Sequence, residues 1–586
     1  MRKSGDTLAK KARSVNPARL DQPVAGTHAQ AKSRTGSAMI LENIEITGFR
    51  GIRHLDLALN HTNVLIGENA WGKSTLLDAL TLLLSPQAEF YQFTPQDFHF
   101  TPGNAGARVQ QLQIIFTFRA DETPDDPLFA PFWQRGGQSA RYLYYCVRAR
   151  ENKGQVVTSR EFLDARGAAL QQDDADEAAR SLIRQHPVLR LRDARFSRRG
   201  QHDELAQSAR ASTLDALAGE VVKLTRDLET RPQQMSDALL RQGLRTMQQL
   251  LEHYFLVHNP ASTAQTVRVA PEARDGGQGW RYLDKLNRLI ADNDSRSRQM
   301  ILIRMFALLI QARGSKMAPG ARPILLIEDP ETRLHPIMLS VAWDFLALLP
   351  LQKIATTNSG ELLSQVPLEN VCRLVRETPG VMAWRIGPEG MSAEESRRIT
   401  FHIRVNRPSA LFARCWLLVE GETEIWIINE LARQAGYHFA AEGVKVIEFA
   451  QAGLKPLLKF ARRMGIACYV LTDGDDAGKK YASTTRSQLL RNEAEEDYLT
   501  QLPAPDMEHF LYRAGFSDIY HQAAHLPLNV PMNTRRIISK AIQRSSKPEL
   551  AIAVALAAAE RGSQAIPALF STMFARVIWL ARGKAD

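Results

Sequence analysis

The sequence predicts an α/β protein built on two sheets of largely parallel strands, and three stretches carry this prediction. First, the apolar run 63–66 precedes a glycine-rich loop and an apolar helix pattern. Second, about 250 residues later, the apolar run 324–327 ends at two carboxylates. Third, the apolar runs 416–419 and 469–472 each end at acidic residues. Strands that alternate with helical patterns are typical of parallel sheets, whose functional loops follow the strands' carboxyl ends.

The first stretch contains a phosphate-binding loop (P-loop), Gly-Glu-Asn-Ala-Trp-Gly-Lys-Ser, at residues 67–74 in its strand–loop–helix setting. Small residues let successive backbone N–H groups face a phosphate chain, and the positive end of the following helix points to the same place. We expect Lys73 to reach the β- and γ-phosphates of ATP and Ser74 to hold Mg²⁺. The residues expected to bind the nucleotide are Gly67, Glu68, Asn69, Gly72, Lys73, Ser74 and Thr75.

The second stretch supplies the acidic strand end that a P-loop needs. Glu328 is expected to hold Mg²⁺ or its water, and Asp329 to orient or deprotonate the attacking water. A further strand over 353–357 ends at Asn358, whose amide can donate hydrogen bonds but has no proton-linked charge. The two halves of the site are far apart in sequence, which predicts one ATPase sheet interrupted by a large insertion.

The third stretch predicts a second site. In a parallel sheet the ends of two neighbouring strands lie side by side, which would bring Glu420, Glu424, Asp473 and Asp475 together. Four ionised carboxylates in one place require cations, and all-oxygen ligands suit Mg²⁺ or Mn²⁺. Two such ions would clamp the attacking and leaving oxygens of a phosphodiester. The later stretch Asp506-Met507-Glu508 is a candidate to complete the metal set.

Composition restricts the class of protein. The four cysteines form no CxxC pair, which argues against a zinc ribbon or a disulfide scaffold and fits the cytoplasm. No apolar run approaches the ~18–20 residues that span a bilayer, so no membrane association is expected. The net charge of +11 favours a polyanionic partner such as DNA. Residues 1–38 hold eight Lys/Arg against two Asp and few large apolar residues, which predicts a disordered basic tail.

Basic residues near the second site favour sequence-independent contacts with DNA phosphates. They fall just before the strand 416–419 and around the helices that follow. They are Arg397, Arg398, Arg404, Arg407, Arg414, Lys455, Lys459, Arg462, Arg463, Lys479 and Lys480.

Helical spacing dominates from about residue 166 to residue 290, apart from a possible strand of the ATPase sheet at 187–192. A dimerising helical arm is the expected use of this insertion, and a lid is the alternative. A strongly apolar helix over 299–313 follows, after the stretch 294–299. A serine hydroxyl or the helix N-terminus there is a candidate contact for a partner subunit's nucleotide, and an ordinary helix cap is the alternative.

With these motifs in this order, the chain resembles the OLD family (overcoming lysogenisation defect) of ATP-dependent endonucleases. The resemblance covers residues 39–586 and rests on 67–74, 326–336, 419–424 and 473–475. It implies an ABC-type ATPase head followed by a Toprim domain with a parallel sheet and a small helical C-terminal segment. It also implies a dimerising insertion, ATP and Mg²⁺ (or Mn²⁺) as cofactors, and the stand-alone class, which needs no separate helicase.

The resemblance also assigns roles to residues. It implies that Glu420, Glu424, Asp473, Asp475 and Glu508 are metal ligands and that a lysine near the C-terminus is catalytic. Lys547 is the candidate and Lys540 the second choice; such a lysine would stabilise charge on the scissile phosphate. Related heads usually carry a histidine at the position of Asn358 and a glutamate at that of Asp329, and these two departures suggest slow ATP hydrolysis.

The domain organisation follows from these assignments. The expected units are the tail 1–38, the N-terminal part of the ATPase with the P-loop (39–165), the helical insertion (166–290), the C-terminal part of the ATPase (291–410), the Toprim nuclease domain (411–525) and the helical C-terminal segment (526–586).

Three alternatives compete with a metal-dependent DNA endonuclease. A DNA-repair ATPase with a binding-only Toprim module would hydrolyse ATP and bind DNA without cutting it. A topoisomerase needs a separate tyrosine-bearing domain, and a primase usually carries a zinc module; neither is evident in the sequence. A transporter ATPase would have no use for a Toprim domain in the same chain.

Overall fold

A computed structural model represents the chain, and the residues that it describes form several ranges. They are 39–85, 89–100, 109–120, 127–136, 140–152, 155–170, 174–191, 217–221, 223–224, 227, 236–256, 295–313, 321–332, 334–349, 351–377, 380–387 and 390–583. The predicted tail 1–38 and much of the predicted insertion, including 192–216 and 257–294, lie outside the described residues.

The first sheet joins an antiparallel lobe to a parallel core in the order β5-β6-β4-β1-β2-β12-β11-β3-β10-β9-β8, with β7 beside β6. Its strands are β1 (Ile40–Phe49), β2 (Ile52–Ala58), β3 (Thr62–Ile66), β4 (Gln111–Ala120), β5 (Gln134–Arg135), β6 (Arg141–Asn152), β7 (Gln155–Leu163), β8 (Val188–Leu191), β9 (Ile324–Glu328), β10 (Gln352–Thr356), β11 (Val371–Glu377) and β12 (Gly380–Trp384).

The parallel core positions the nucleotide loop. Strand β3 lies between β11 and β10, and β9 pairs with β10 on its far side. These strands read as continuous apolar runs because both faces of the sheet are covered. Strand β8 pairs in parallel with β9, which confirms the predicted ATPase strand near residues 187–192. The loops after β3, β9 and β10 therefore meet at one edge of the sheet.

Helices cover the first sheet. They are α1 (Lys73–Leu84), α2 (Ala175–Gln185), α3 (Asp237–Leu256), α4 (Arg296–Arg313), α5 (Pro336–Leu348), α6 (Gly360–Gln365) and α7 (Ala393–Ile399), and a π-helical turn (Thr400–Val405) continues α7. Helices α3 and α4 lie on either side of the undescribed residues 257–294. The two helices pack against each other, and Leu240, Leu244, Leu302 and Phe306 belong to their common core.

A second sheet is entirely parallel, with strand order β14-β13-β15-β16. Its strands are β13 (Cys415–Val419), β14 (Val444–Glu448), β15 (Ala467–Thr472) and β16 (Leu499–Gln501). The helices of this half are α8 (Glu422–Gln434), α9 (Leu454–Arg463), α10 (Asp476–Gln488), α11 (Met507–Leu511), α12 (Ser517–Ala523), α13 (Thr534–Arg544), α14 (Lys547–Arg561) and α15 (Ala568–Arg582).

The central strand β13 is buried on both faces, and its side chains alternate between two cores. Trp416 and Leu418 join a cluster shared with the first sheet's helices, whereas Leu417 and Val419 join a cluster with α8, α14 and α15. This alternation is the period of two that a strand imposes. The Trp416 ring stacks on Phe460 of α9, with ring centroids 5.9 Å apart. The second sheet is therefore fused to the ATPase half through a common core.

The four cysteines are free thiols, three of them buried and Cys468 half-buried. Burial raises the pKa of the Cys146 and Cys468 thiols to about 12. Within the part of the chain that the structure describes, every helix falls short of the length and apolar character that crossing a membrane requires.

Candidate nucleotide site and carboxylate cluster

The loop between β3 and α1 is shaped by two glycines. Gly67 has φ +146° and packs so closely that a Cβ would lie 2.5 Å from the Leu374 carbonyl oxygen of β11. Gly72 has φ +95° and immediately precedes α1, where other residues would be strained. The loop therefore curves in front of the helix N-terminus, as phosphate binding requires. At the start of α1, Ser74 is exposed and Thr75 half-buried.

Lys73 is almost fully buried and already has partners in the loop region. Its Nζ contacts the Gly67 carbonyl oxygen and lies 3.2 Å from Asn358 Oδ1, which follows β10. Desolvation lowers the pKa of Lys73, and the nearby Asp329, Glu331 and Glu68 oppose that shift. The structure thus brings Lys73 and Asn358 together across 285 residues.

Glu328, at the end of β9, is held by an arginine that the sequence did not single out. Arg190 of β8 donates to Glu328 Oε2 from Nε at 3.0 Å and from Nη2 at 2.7 Å. Its Nη1 lies 2.6 Å from Asp78 Oδ1 of α1. With only 5% of its side chain exposed, Arg190 ties the acidic strand end to the helix that begins in the phosphate loop.

Asp329 has an unusual backbone, with φ +37° at a residue that is not glycine. Such a conformation costs free energy and persists where the surroundings enforce it, often at functional sites. Thr356 Oγ1 donates to Asp329 Oδ1 at 2.9 Å. Glu331 fixes the end of β10, because its carboxylate accepts from the Asn358 N–H at 2.6 Å and from Thr357 Oγ1 at 2.9 Å.

The second sheet places two of the predicted carboxylates side by side. Glu420 directly follows β13 and Asp473 directly follows β15, the strand paired with it. The Asp473 N–H donates to Glu420 Oε1 at 2.9 Å. Gly478 permits this turn, because a Cβ there would lie 2.1 Å from the Asp473 carbonyl oxygen. The strand ends thus bring Glu420 and Asp473 into contact.

Glu424, in the first turn of α8, enters the same cluster. Its carboxylate lies over Gly421, where a Cβ would approach Glu424 Oε2 to 2.8 Å. That oxygen is buried and accepts no hydrogen bond. An unsatisfied buried carboxylate oxygen is costly, and a bound cation would satisfy it.

Lys547 and Glu508 complete the cluster from the C-terminal helices. Lys547 Nζ lies 2.9 Å from Glu508 Oε1, and Glu508 is buried in α11. Ser546 caps α14 with Glu549 in a capping box and so fixes Lys547 at the first position of that helix. Burial alone would lower the pKa of Lys547, but Glu508, Asp506 and Glu424 raise it overall. The second-choice lysine, Lys540, lies within α13, not at the start of α14.

Burial and repulsion between like charges raise the pKa values of three carboxyl groups in the cluster. Burial, followed by repulsion from Glu420 and Glu424, raises the pKa of Asp473 to about 8. Desolvation likewise raises the pKa values of Glu420 and Glu424, with repulsion from Asp475 and Glu508 respectively. Asp475 also caps α10 by accepting from the Gly478 N–H at 2.7 Å. Desolvation and mutual repulsion thus both disfavour the ionised forms of these carboxylates.

The residues present fit divalent cations. The donors are all carboxylate oxygens, which suit Mg²⁺ or Mn²⁺, and Glu424 Oε2 has no hydrogen-bond partner. Among the described residues, no three histidine, cysteine or acidic side chains already converge in metal-binding geometry. The carboxylates would therefore have to close in around an ion.

Most of the predicted DNA-contacting basic residues have acidic or carbonyl partners instead. Arg397 and Arg398 pair with Glu394, and Lys459 pairs with Glu395. The remaining contacts are those of Arg404 with the carbonyl oxygens of Ser364 and Val366, Arg407 with Glu448, Arg414 with Glu68, Arg462 with Glu493 and Lys479 with Asp476. The sequence could not reveal these partners, and the DNA contacts of these residues stay a prediction.

Comparison with known proteins identifies the family. Residues 39–410 match the family described as "Protein of unknown function (DUF2813)", and residues 411–475 match the "Overcoming lysogenization defect protein-like, TOPRIM domain". The chain belongs to the DUF2813 family. This DUF2813 chain is 57% identical over 558 residues to the "Uncharacterized protein YbjD" of Escherichia coli (strain K12), covering 94% of this chain and 100% of that protein. The predicted OLD-family ATPase–Toprim relationship is confirmed.

Solved structures resemble each half of this DUF2813 protein. The C-terminal region of the Burkholderia pseudomallei OLD protein is 19% identical and covers 29% of this chain and 99% of its own, with a TM-score of 0.26. The SMC head domain from Thermotoga maritima is 9% identical, and the match covers 59% of this chain and 99% of that domain, with a TM-score of 0.30.

Proposed function

We propose that this DUF2813 protein is an ATP-hydrolysing, divalent-metal-dependent DNA endonuclease. One observation carries the proposal: Glu420, Glu424, Asp473, Glu508 and Lys547 gather at one end of the second sheet. A partly buried group of acidic residues beside Lys547 is suited to a phosphodiester, whose charge needs cations on both the attacking and the leaving side.

The chain's own groups have distinct tasks in this proposal. The carboxylates of Glu420, Glu424, Asp473, Asp475 and Glu508 would hold Mg²⁺ or Mn²⁺. When bound, these cations supply charge neutralisation and a more acidic water. Lys547 would donate to a non-bridging phosphate oxygen, where negative charge builds up as water attacks phosphorus. Hydrolysis breaks one P–O bond, and the leaving oxygen takes up a proton.

The ATPase half has a comparable division of tasks. Lys73 would exchange its contacts with Gly67 and Asn358 for the β- and γ-phosphates of ATP. Asp329 would orient the attacking water, and Ser74 with Glu328 would hold Mg²⁺. Glu331 supports this arrangement because it anchors the backbone of Asn358.

The proposed partners are DNA and a second copy of the chain. The helical insertion is the proposed dimer contact, and no helicase partner is required. Helix α3, which lies within the insertion, supports this use, since Leu239 is 45% exposed there. Sedimentation of the full chain beside a chain shortened between α3 and α4 would test dimerisation; a monomeric full chain contradicts it.

Cleavage of supercoiled plasmid tests the enzymatic proposal. The assay compares Mg²⁺, Mn²⁺ and chelator, with and without ATP, for the wild type, Glu424→Gln and Lys73→Ala. We expect nicking or linearisation by the wild type with metal and none by Glu424→Gln. The matched control is Glu430→Gln, which changes a half-buried residue of the same helix α8 that pairs with Arg433.

The outcomes separate the nuclease from the binding-only alternative. If the wild type hydrolyses ATP and binds DNA but cuts it with neither metal, the protein is an ATPase whose Toprim domain only binds. If Glu424→Gln cuts as fast as Glu430→Gln, the carboxylate cluster is not the nuclease site.

A further inference from the structure

The phosphate loop is joined directly to the second sheet by an ion pair. Arg414, the residue before β13, contacts both carboxylate oxygens of Glu68, with Nη2 2.7 Å from Oε2 and Nε against Oε1. Glu68 is the second residue of the phosphate loop. The side chains of Arg414 and Glu68 are 21% and 35% exposed. A two-point arginine–carboxylate contact of this kind fixes geometry as well as contributing free energy.

A second arginine makes a parallel connection. Arg373 of β11 is 1% exposed and donates to three carbonyl oxygens: Ala413 at 2.9 Å, Met464 at 3.1 Å and Gly465 at 2.7 Å. Its guanidinium carbon lies 5.7 Å from the ring centroid of Trp71, which belongs to the phosphate loop. Arg373 therefore contacts the loop and the second sheet at once.

Both arginines act at the same end of the second sheet. Ala413 and Arg414 lead into β13, and Gly465 lies two residues before β15. The opposite ends of these two strands carry Glu420 and Asp473. At about 3.3 Å per residue, the five residues of β13 span about 16 Å. The phosphate loop and the carboxylates thus lie at the two ends of one short pair of strands.

The strand pair is built to move as a unit. Cys415 pairs with Ala467 and Leu418 with Val470 in a continuous parallel ladder. Both faces of β13 are packed into cores, so the strand can tilt or shift only together with its neighbours. A displacement at Arg414 is therefore passed on to Glu420.

Nucleotide binding must disturb the loop at the residue beside this ion pair. In this structure Lys73 Nζ donates hydrogen bonds to the Gly67 carbonyl oxygen and to Asn358 Oδ1. A bound triphosphate would attract that ammonium and break these two hydrogen bonds. Gly67 precedes Glu68, so the backbone that carries the Glu68 carboxylate changes its contacts at this step. Because Arg414 is held at two points, either β13 follows Glu68 or the pair breaks.

We propose that Glu68 and Arg414 are positioning residues through which nucleotide in the phosphate loop sets the arrangement of the carboxylates at the far ends of β13 and β15. Its consequence for DNA cleavage rests on the function proposed above. The coupling itself is a property of the two sites and does not depend on cleavage. Coupling of this kind typically changes a linked equilibrium by about 5–150-fold.

Hydrogen–deuterium exchange of the full chain tests the coupling without any nuclease assay. Exchange is followed in peptides covering 415–424 and 466–475, with Mg²⁺ alone and with Mg²⁺ plus a non-hydrolysable ATP analogue. We expect the analogue to change exchange there in the wild type and not in Arg414→Gln, while Arg414→Gln still binds the analogue. The control Arg433→Gln removes another two-point pair, with Glu430, and is expected to keep the wild-type response.

Two results would overturn the coupling: no response to the analogue in the wild type, or an undiminished response in Arg414→Gln. If Arg414→Gln does not fold, Arg414→Lys takes its place in the experiment. Lysine keeps the positive charge but loses the two-point contact, so we expect a reduced response to the analogue. An undiminished response in that lysine variant would also contradict the proposal.

Plasmid cleavage gives the second readout. In the wild type, ATP is expected to change the cleavage rate by about fivefold or more, and in Arg414→Gln the rates with and without ATP become equal. The double variant Glu68→Gln/Arg414→Gln should match Arg414→Gln, because both changes remove one interaction. If no form of the protein cuts DNA, the proposed function fails, and the exchange experiment still decides the coupling.

Discussion

Arg190 Nη2 lies 2.7 Å from Glu328 Oε2 while Nη1 of the same guanidinium lies 2.6 Å from Asp78 Oδ1. One nearly buried arginine therefore neutralises the acidic strand end of the nucleotide site and an acidic residue of the phosphate-loop helix. Removing it would take two hydrogen bonds from Glu328, whereas Asp78 would keep its ion pair with Arg50 at 2.8 Å.

We expect Arg190→Gln to lower the free energy of unfolding by about 2 kcal/mol, because Glu328 loses two hydrogen bonds from a charged donor. ATP hydrolysis should also fall, since Glu328 loses the group that orients it. Chemical unfolding and phosphate release measure the two effects. The control Arg184→Gln disrupts an exposed pair with Glu177 and should cost less than about 1 kcal/mol. Equal losses in both variants would contradict the role of Arg190.

Asp473→Asn should stabilise the metal-free protein, increasingly so as pH rises. The folded-state pKa of Asp473 is about 8 against an ordinary 3.8, so in this interval the unfolded chain has already released the proton. Wild-type stability therefore falls as pH rises from about 4 to about 8, and the uncharged variant escapes this loss. The gain at pH 8.5 is expected on the order of 2 kcal/mol.

Unfolding at several pH values in a chelator measures this difference. Adding Mg²⁺ or Mn²⁺ should restore stability to the wild type more than to Asp473→Asn. Glu430→Gln keeps Asp473, so its stability should fall between about pH 4 and pH 8 as that of the wild type does. A variant less stable than the wild type at every pH would refute the charge-repulsion argument.

Lys547→Met should reduce plasmid cleavage by about 10²–10³-fold, the usual effect of losing one donor to developing transition-state charge. Lys547→Arg should recover part of the rate, because it keeps a cation beside Glu508. Lys540→Met is the matched control and should cut DNA like the wild type. The reverse order of effects would move the catalytic role to Lys540.

Asn358→His should raise ATP turnover about tenfold or more, because an imidazole adds a titratable donor next to the γ-phosphate. The backbone at this position is anchored by Glu331, so the new side chain should occupy the same place. Phosphate release under saturating ATP measures the effect. Asn358→Ala should show no increase; a histidine variant no faster than the wild type would contradict the prediction.

The positions at which the strands end could be predicted from the sequence because the signal for them is local. An apolar run followed by Glu420 or Asp473 fixes where the strand stops, and parallel pairing then brings such ends together. The same logic found the phosphate loop and the acidic strand end at Glu328. It also placed β8 in the ATPase sheet.

Contacts between distant residues left no local signal. Arg190 and Glu328 are 138 residues apart, and Glu68 and Arg414 are 346 apart. In sequence, Arg414 looked like one more surface cation near a nucleic-acid site. Only the packing of the second sheet on the first shows that it faces the phosphate loop.

The shielding of the four native cysteines offers a route to labelling. Thiol-reactive dyes attack the thiolate, and burial leaves Cys146 and Cys468 protonated at neutral pH. A cysteine introduced at an exposed position, such as Trp426 on α8, should therefore take up a maleimide fluorophore while the native thiols stay unmodified. Paired dyes could then report movements of single molecules without first removing any natural cysteine.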